Sequence, residues 1–279
     1  MNKSFTLIEI LVVIVIIGII SAFIIVSMAG VSSKAAIAKS QAFANSLRNS
    51  LLMDLISEWK FDGDVNDCWG SNNGTIVGAP VYRSGTDCVY GQCMEFNGTG
   101  DYINLTSLIS LSGELTFSVW AFRDTNNTYD FMAGSSGSSS KIGFYIGTDK
   151  LFVRVVAGGN ADNTHSDNAP IGQWHYIVVT RNSANKVDCY IDAGSAKRLF
   201  GDLVQVGSFD VNRFGIDGGE HPFDGKIDNV NIFSRAIPTS RIQENYYSGL
   251  NRLLVGKGVD LNEFNQRIAE LKYNLANNE

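Results

Sequence analysis

Hydrophobic and polar positions divide the chain into three regimes. Residues 5–31 are apolar almost without interruption, and Glu9 is the only ionisable side chain among them. A membrane-crossing helix needs about 20 apolar residues at roughly 1.5 Å each, so residues 10–30 alone are long enough to span a bilayer. Beyond Val31 the helical period continues, with Ile37, Phe43, Ala44, Leu47, Leu51 and Leu55 recurring every three or four residues. Lys34, Lys39 and Arg48 supply the polar side. The pattern predicts one helix from Phe5 to Ile56, and a first unit of residues 5–57 whose 5–31 half is apolar and whose 32–57 half is amphipathic. Its weak points are Gly18 and Gly30, since glycine costs up to about 1 kcal/mol in a helix.

From about Glu58 the period changes to two. Short runs rich in Val, Ile, Phe, Tyr and Trp, among them 94–96, 102–105, 115–122, 174–180, 187–191 and 226–233, alternate with Gly, Asn, Asp and Ser. Many short strands separated by turn residues predict an all-β sandwich or jelly roll over 58–238. In residues 239–279 the helical period returns as two segments, 240–254 and 261–275, around Gly256-Lys257-Gly258. Leu261, Phe264, Ile268, Leu271 and Leu275 make an apolar stripe, and Asp260 is placed to cap the second segment. A short helical hairpin packed back on the sandwich is expected.

Glu9 needs a reason to exist, because a carboxylate in a membrane helix costs roughly 2.5–3.5 kcal/mol on insertion scales. The run Lys3-Ser4-Phe5-Thr6-Leu7-Ile8-Glu9 resembles the processing site of bacterial type IV pilins and pseudopilins. The resemblance implies that residues 1–4 are a leader removed by a prepilin peptidase, with the cut between Ser4 and Phe5. It also implies N-methylation of Phe5 and a role for Glu9 in assembly. Ser4 stands where that family usually has Gly. The physical logic is independent of the family: a freed α-amine has a pKa of about 7.7–8.0, so Phe5 would carry a charge into an apolar bundle. Glu9 of a neighbouring copy would neutralise it there.

A second resemblance covers about 58–250. Trp59-Lys60-Phe61-Asp62, Asn72-Asn73-Gly74-Thr75, Met94-Glu95-Phe96-Asn97-Gly98, Gly172-Gln173-Trp174-His175 and Phe223-Asp224-Gly225-Lys226-Ile227-Asp228 appear in the order seen in laminin-G-like, concanavalin A-like domains. Asp192-Ala193-Gly194 departs from that family's Asp-Gly turn. Together the two resemblances imply a long N-terminal helix, a jelly-roll sandwich and a C-terminal helical hairpin. They imply a structural subunit of an extracellular pilus-like filament, displaying its sandwich on the surface, with adhesion as one use. The alternative is a minor pilin or pseudopilin that binds carbohydrate or protein at a tip. Partners would be other copies of the chain, the peptidase and pilus assembly machinery, and surface glycans or proteins. The precursor would sit in the cytoplasmic membrane.

Charge narrows the partners further. The formal net charge is −6, and residues 59–238 hold 13 Lys and Arg against 20 Asp and Glu. Nucleic acid is not expected as a partner, because phosphate binding needs a basic footprint. Of the four cysteines, Cys88 and Cys93 bracket a short Gly-containing loop and are the favoured disulfide. Cys68 and Cys189 are left open. Three histidines and no Ser-, Cys- or metal-hydrolase motif argue against an enzyme. No cofactor is required. Asp62, Asp64 and Asp67, with Asp228, have the oxygen chemistry calcium takes, if the first and last strands are neighbours. Solvated turn acids are the competing reading. A sugar site would lie in loops 124–141 and 158–172, where Tyr129 and His165 could stack or bond.

Overall fold

The computed structural model describes residues 54–125, 130–137, 140–144, 148–154, 163–201, 203–218 and 221–276. The expected N-terminal helix, with Ser4, Phe5, Glu9, Gly18 and Gly30, lies outside the described residues. Its last turn is the exception. Leu55 and Ile56, which the helical spacing claims, open a strand instead, because Leu55 pairs with Phe233 and Trp59 with Val230. Among the described residues no helix is long and apolar enough to cross a membrane.

Two antiparallel sheets form the sandwich. The first holds β1 (Leu55–Trp59), β3 (Val81–Ser84), β4 (Gln92–Asn97), β6 (Leu115–Arg123), β11 (Trp174–Arg181), β12 (Val187–Ile191), β13 (Lys197–Leu199) and β15 (Asp224–Phe233). Its order is β13-β12-β11-β6-β15-β4-β3, with β1 also pairing β15. The second holds β2 (Gly74–Val77), β5 (Tyr102–Leu111), β7 (Asp130–Gly134), β8 (Lys141–Phe144), β9 (Lys150–Arg154), β10 (Asn163–Asn168) and β14 (Phe209–Phe214), ordered β10-β9-β8-β7-β14-β5-β2. First and last strands are therefore neighbours.

Period-two alternation builds the core. Phe117, Val119 and Ala121 of β6 point inward with Ile177 and Val179 of β11 and Ile227 and Ile232 of β15. They meet Ile103, Ile142, Leu151, Val211 and Phe214 from the second sheet. The opposite face of β6 is buried too, because the helix α1 (Thr239–Gly256) lies on it. Trp120 sits between Tyr176, with ring centroids 5.1 Å apart, and Tyr246, stacked at 5.8 Å. Gly249 lets the helix approach, since a Cβ there would run into the Trp120 indole. A left-handed Lys257 (φ 65°) ends α1, with the Gly258 N–H donating to the Leu253 carbonyl at 2.8 Å. The second helix, α2 (Leu261–Ala276), is capped by Asp260, whose Oδ1 accepts the Glu263 N–H at 2.8 Å. Helix α1 packs on the sandwich through Ile242, Tyr246, Leu250 and Leu253, whereas the expected stripe of α2 is not buried: Leu261 is exposed, Phe264, Ile268 and Leu271 are half-buried, and Arg267 is the residue that helix buries.

Strand directions give the sandwich two distinct ends. Asp54 enters beside the end of β15, where its carbonyl accepts the Ser234 N–H at 2.8 Å. The same end holds the start of β6, the end of β11 and the start of β12, through the pairs Phe233↔Thr116, Arg181↔Leu115 and Arg181↔Val187. The turns after Leu111 and Leu199 also lie there. The far end carries the connections after Arg123, Phe144, Asn168, Ile191 and Phe214. Whatever that end binds is held a full strand length from the point of chain entry.

Candidate functional site

Calcium chemistry meets its test at the acidic residues. Asp67 has turned both oxygens onto its own turn: Oδ1 accepts the N–H groups of Glu58, Trp69 and Gly70 at 2.8–3.0 Å, and Oδ2 that of Asn72 at 3.0 Å. Burial pushes its pKa up, but the backbone donors outweigh it and the carboxyl is held below its ordinary value. Asp64 accepts from Asn66 N, and Asp62 from Gln92 N at 2.7 Å. Asp228 is fully buried on the α1 side of β15. Its Oδ2 accepts the Val89 and Tyr90 N–H groups at 2.9 and 2.8 Å, while Oδ1 has no hydrogen-bond partner. Burial raises its pKa well above the usual range, and Asp62 adds to the rise. Among the described residues no three acidic, His or Cys side chains gather to hold a metal. The arrangement fits poorly to a calcium ion, which takes six to eight oxygens. It is a scaffold of carboxylates that bind backbone.

Beside it, Cys88 and Cys93 are joined by a disulfide and close the loop that Asp228 grips. Cys68 is an exposed free thiol and Cys189 a buried one.

The expected sugar loops are described only in part, since 126–129, 138–139 and 158–162 lie outside the described residues. Segment 124–141 contains β7 and segment 158–172 contains β10, so each is split between the two ends of the sandwich. Tyr129 lies outside the described residues. His165 is 1 % exposed within β10, and burial lowers its pKa. It cannot stack on a ligand from there.

The structure instead gathers polar side chains at the far end, in a cleft of about 290 Å³ between α2 and the ends of β10 and β12. Asp167 and Asn168 line one wall, Asp192 and Lys197 the second, and Arg267 and Glu270 the third. Arg267 is 7 % exposed and donates to the Trp174 carbonyl at 2.7 Å, Gln173 Oε1 at 2.9 Å and Glu263 Oε1 at 2.7 Å. Burial alone would lower its pKa, but Asp192, Tyr246 and Glu263 more than reverse that. Asp192 sits at φ 52° with Ala193 at φ 53°, a left-handed pair that only this turn's bonds can hold. Its Oδ1 accepts the Tyr176 N–H at 2.9 Å and its Oδ2 lies 2.7 Å from His175 Nδ1. Burial pushes the Asp192 carboxyl up, His175 pulls it down further, and the net direction is down. The Tyr246 phenol is pushed strongly up by burial, so it stays a neutral hydroxyl.

Such a cleft offers charged acceptors and donors at fixed positions, with no activated nucleophile among its named side chains. Its volume is at the lower end of those that hold small molecules. The sequence signal for it was Asp192-Ala193-Gly194. Nothing in the local pattern ties that turn to Arg267.

Sequence comparison matches two separate parts of the chain. The profile of the concanavalin A-like lectin/glucanases superfamily (Laminin_G_3) matches residues 97–243, just over half of the 279 residues. The chain belongs to this superfamily. Residues 1–25 match the prokaryotic N-terminal methylation motif, the type IV pilin signature. No curated protein matches the superfamily member as a relative.

Solved structures share its fold. Domain 4 of AbnA, an extracellular arabinanase of Geobacillus stearothermophilus solved with arabinotriose, is 21% identical, with a TM-score of 0.52 over 68% of this chain and 97% of that one. The binding domain of Paraclostridial Mosquitocidal Protein 1 is 18% identical, with a TM-score of 0.55 over 72% of this chain and 53% of that one. The receptor binding domain of botulinum neurotoxin D is 17% identical, with a TM-score of 0.52 over 72% and 54%. The superfamily member thus spans nearly all of the arabinanase domain and about half the length of the two toxin domains.

Proposed function

We propose that the protein is a structural subunit of an extracellular type IV pilus-like filament that displays a lectin-like domain on its surface. The observation that carries this is the methylation motif at residues 1–25 in one chain with the concanavalin A-like domain. A prepilin peptidase cuts between Ser4 and Phe5, Phe5 is N-methylated, and the apolar run passes from the cytoplasmic membrane into a filament core. Phe5 amine and Glu9 of adjacent copies pair there. Softening at Gly18 and Gly30 lets the helix adjust in that core. No catalytic step and no cofactor is assigned to it.

A second reading, a minor subunit that binds glycan or protein as an adhesin, is favoured by the polar cleft at the end away from chain entry. The arabinotriose-bound and receptor-binding relatives of the fold are consistent with it. The composition of purified filaments decides between the two. Filaments made mainly of this chain support the first reading, and filaments made mainly of another pilin support the second. Absence of the chain from any surface filament overturns both.

A further inference from the structure

Arg181 is among the largest fully buried side chains of the domain. It is wholly inaccessible at the end of β11, and no carboxylate among the described residues faces its guanidinium. Its guanidinium is satisfied by carbonyls alone: Nε donates to Gly113 at 2.6 Å, Nη2 to Leu111 at 2.6 Å, and Nη1 to Gln205 at 3.1 Å and Gly207 at 2.9 Å. Burying a cation without a counter-ion is costly, and here it fixes the backbone of two connections at once. The β13–β14 connection is secured again where the Gln205 N–H donates to the Asn185 carbonyl at 2.8 Å, with the Gln205 residue itself 4 % exposed. Leu203 and Val204, just before these anchors, and Val206, between them, are exposed at 66 %, 54 % and 62 %. A rigidly clamped loop that turns its polar residue inward and three aliphatic residues outward reverses the ordinary distribution.

Its position identifies the partner. The loop lies at the chain-entry end, with Asp54, and not at the end that carries the polar cleft. Copies that bundle through their N-terminal segments bring their entry ends toward one another. Lipid is the weaker occupant, because residues 32–53 separate the apolar run from Asp54 in the sequence. We propose that Leu203, Val204 and Val206 form a subunit–subunit contact, docking on a second copy of this chain in the assembled filament. The inference rests on the filament reading above and adds a contact outside the N-terminal segment.

The test uses the full chain in the producing cell, with Cys68→Ser removing the exposed thiol and Cys189 left buried. A Val204→Cys substitution is labelled with a hydrophilic maleimide in intact filaments and in detergent-solubilised subunits. Labelling about tenfold slower in filaments is expected. A double Val204→Asp, Val206→Asp variant should lower surface filaments about tenfold at unchanged precursor level and melting temperature, as loss of a contact hot spot would. Equal labelling in both states, or normal filaments from the double variant, overturns the proposal. Protection in precursor membranes but not in filaments assigns the loop to lipid and also overturns it. If the unsubstituted chain makes no filaments, the filament reading fails by itself. The contact is then judged by labelling solubilised subunits at rising concentration, where an unchanging rate overturns it.

Discussion

Asp228 and Asp67 show how one residue type serves opposite ends of the pH scale within a few residues of the same strand pair. Asp228 has a folded pKa well above the unfolded value of about 3.9. Its contribution is therefore fully present in acid and is lost as pH rises through the folded value. Asp130, also buried and pushed up to about 7, follows the same sign, losing its contribution between about pH 4 and 7. Asp228→Asn keeps an oxygen for the Val89 and Tyr90 N–H groups and removes the charge. The difference in melting temperature between this variant and the unsubstituted protein should move in the variant's favour from pH 4 to pH 8. A constant difference would contradict the assignment. Asp67 is held below its ordinary value, so its contribution is present above the unfolded pKa and lost as pH falls through the folded one. Asp67→Ala strands four backbone donors and should cost about 3 kcal/mol by chemical denaturation at pH 7. Chelation should leave the melting temperature unchanged, because these carboxylates already serve backbone N–H groups. A fall under chelator would restore the calcium ion.

Elements with a strong period were legible. Residues 187–191 and 115–122 are strands almost to the residue, and the two C-terminal helices fall on the expected segments with the Asp260 cap, although the apolar stripe of α2 stays half-buried or exposed. What escaped was set by pairing with no local pattern behind it. Asn163–Asn168 reads as a polar loop, yet it is an edge strand because β9 offers it a ladder. Val81–Ser84 and Lys197–Leu199 are too short or too polar to announce themselves, and Asp130–Gly134 is buried at all five positions and so shows no period of two. Leu55 fits a helical spacing and was taken by β15. The far-end cleft was illegible for the same reason, since Asp192 and Arg267 meet only after α2 docks. Close approach of helix to sheet rests on Gly249. Gly249→Ala should push α1 off Trp120, cost about 1–3 kcal/mol by overpacking and change the near-ultraviolet circular dichroism of the indole. An unaltered spectrum with unchanged stability would show that α1 does not bear on that ring.

At the scale of the whole molecule, the chain joins two solvents. Residues 5–31 have the apolar composition of a segment suited to lipid or to its own copies, and the described domain is an acidic, disulfide-closed sandwich with chain entry at one end and a polar cleft at the other. That polarity makes sense for a subunit that leaves a membrane by polymerising, with the Glu9 carboxylate answering a freed Phe5 amine. The mass of the intact subunit taken from surface filaments tests this most directly. The account predicts a chain that begins at Phe5, lacks residues 1–4 and carries one added methyl group at its amine. A subunit that still begins at Met1 would contradict it.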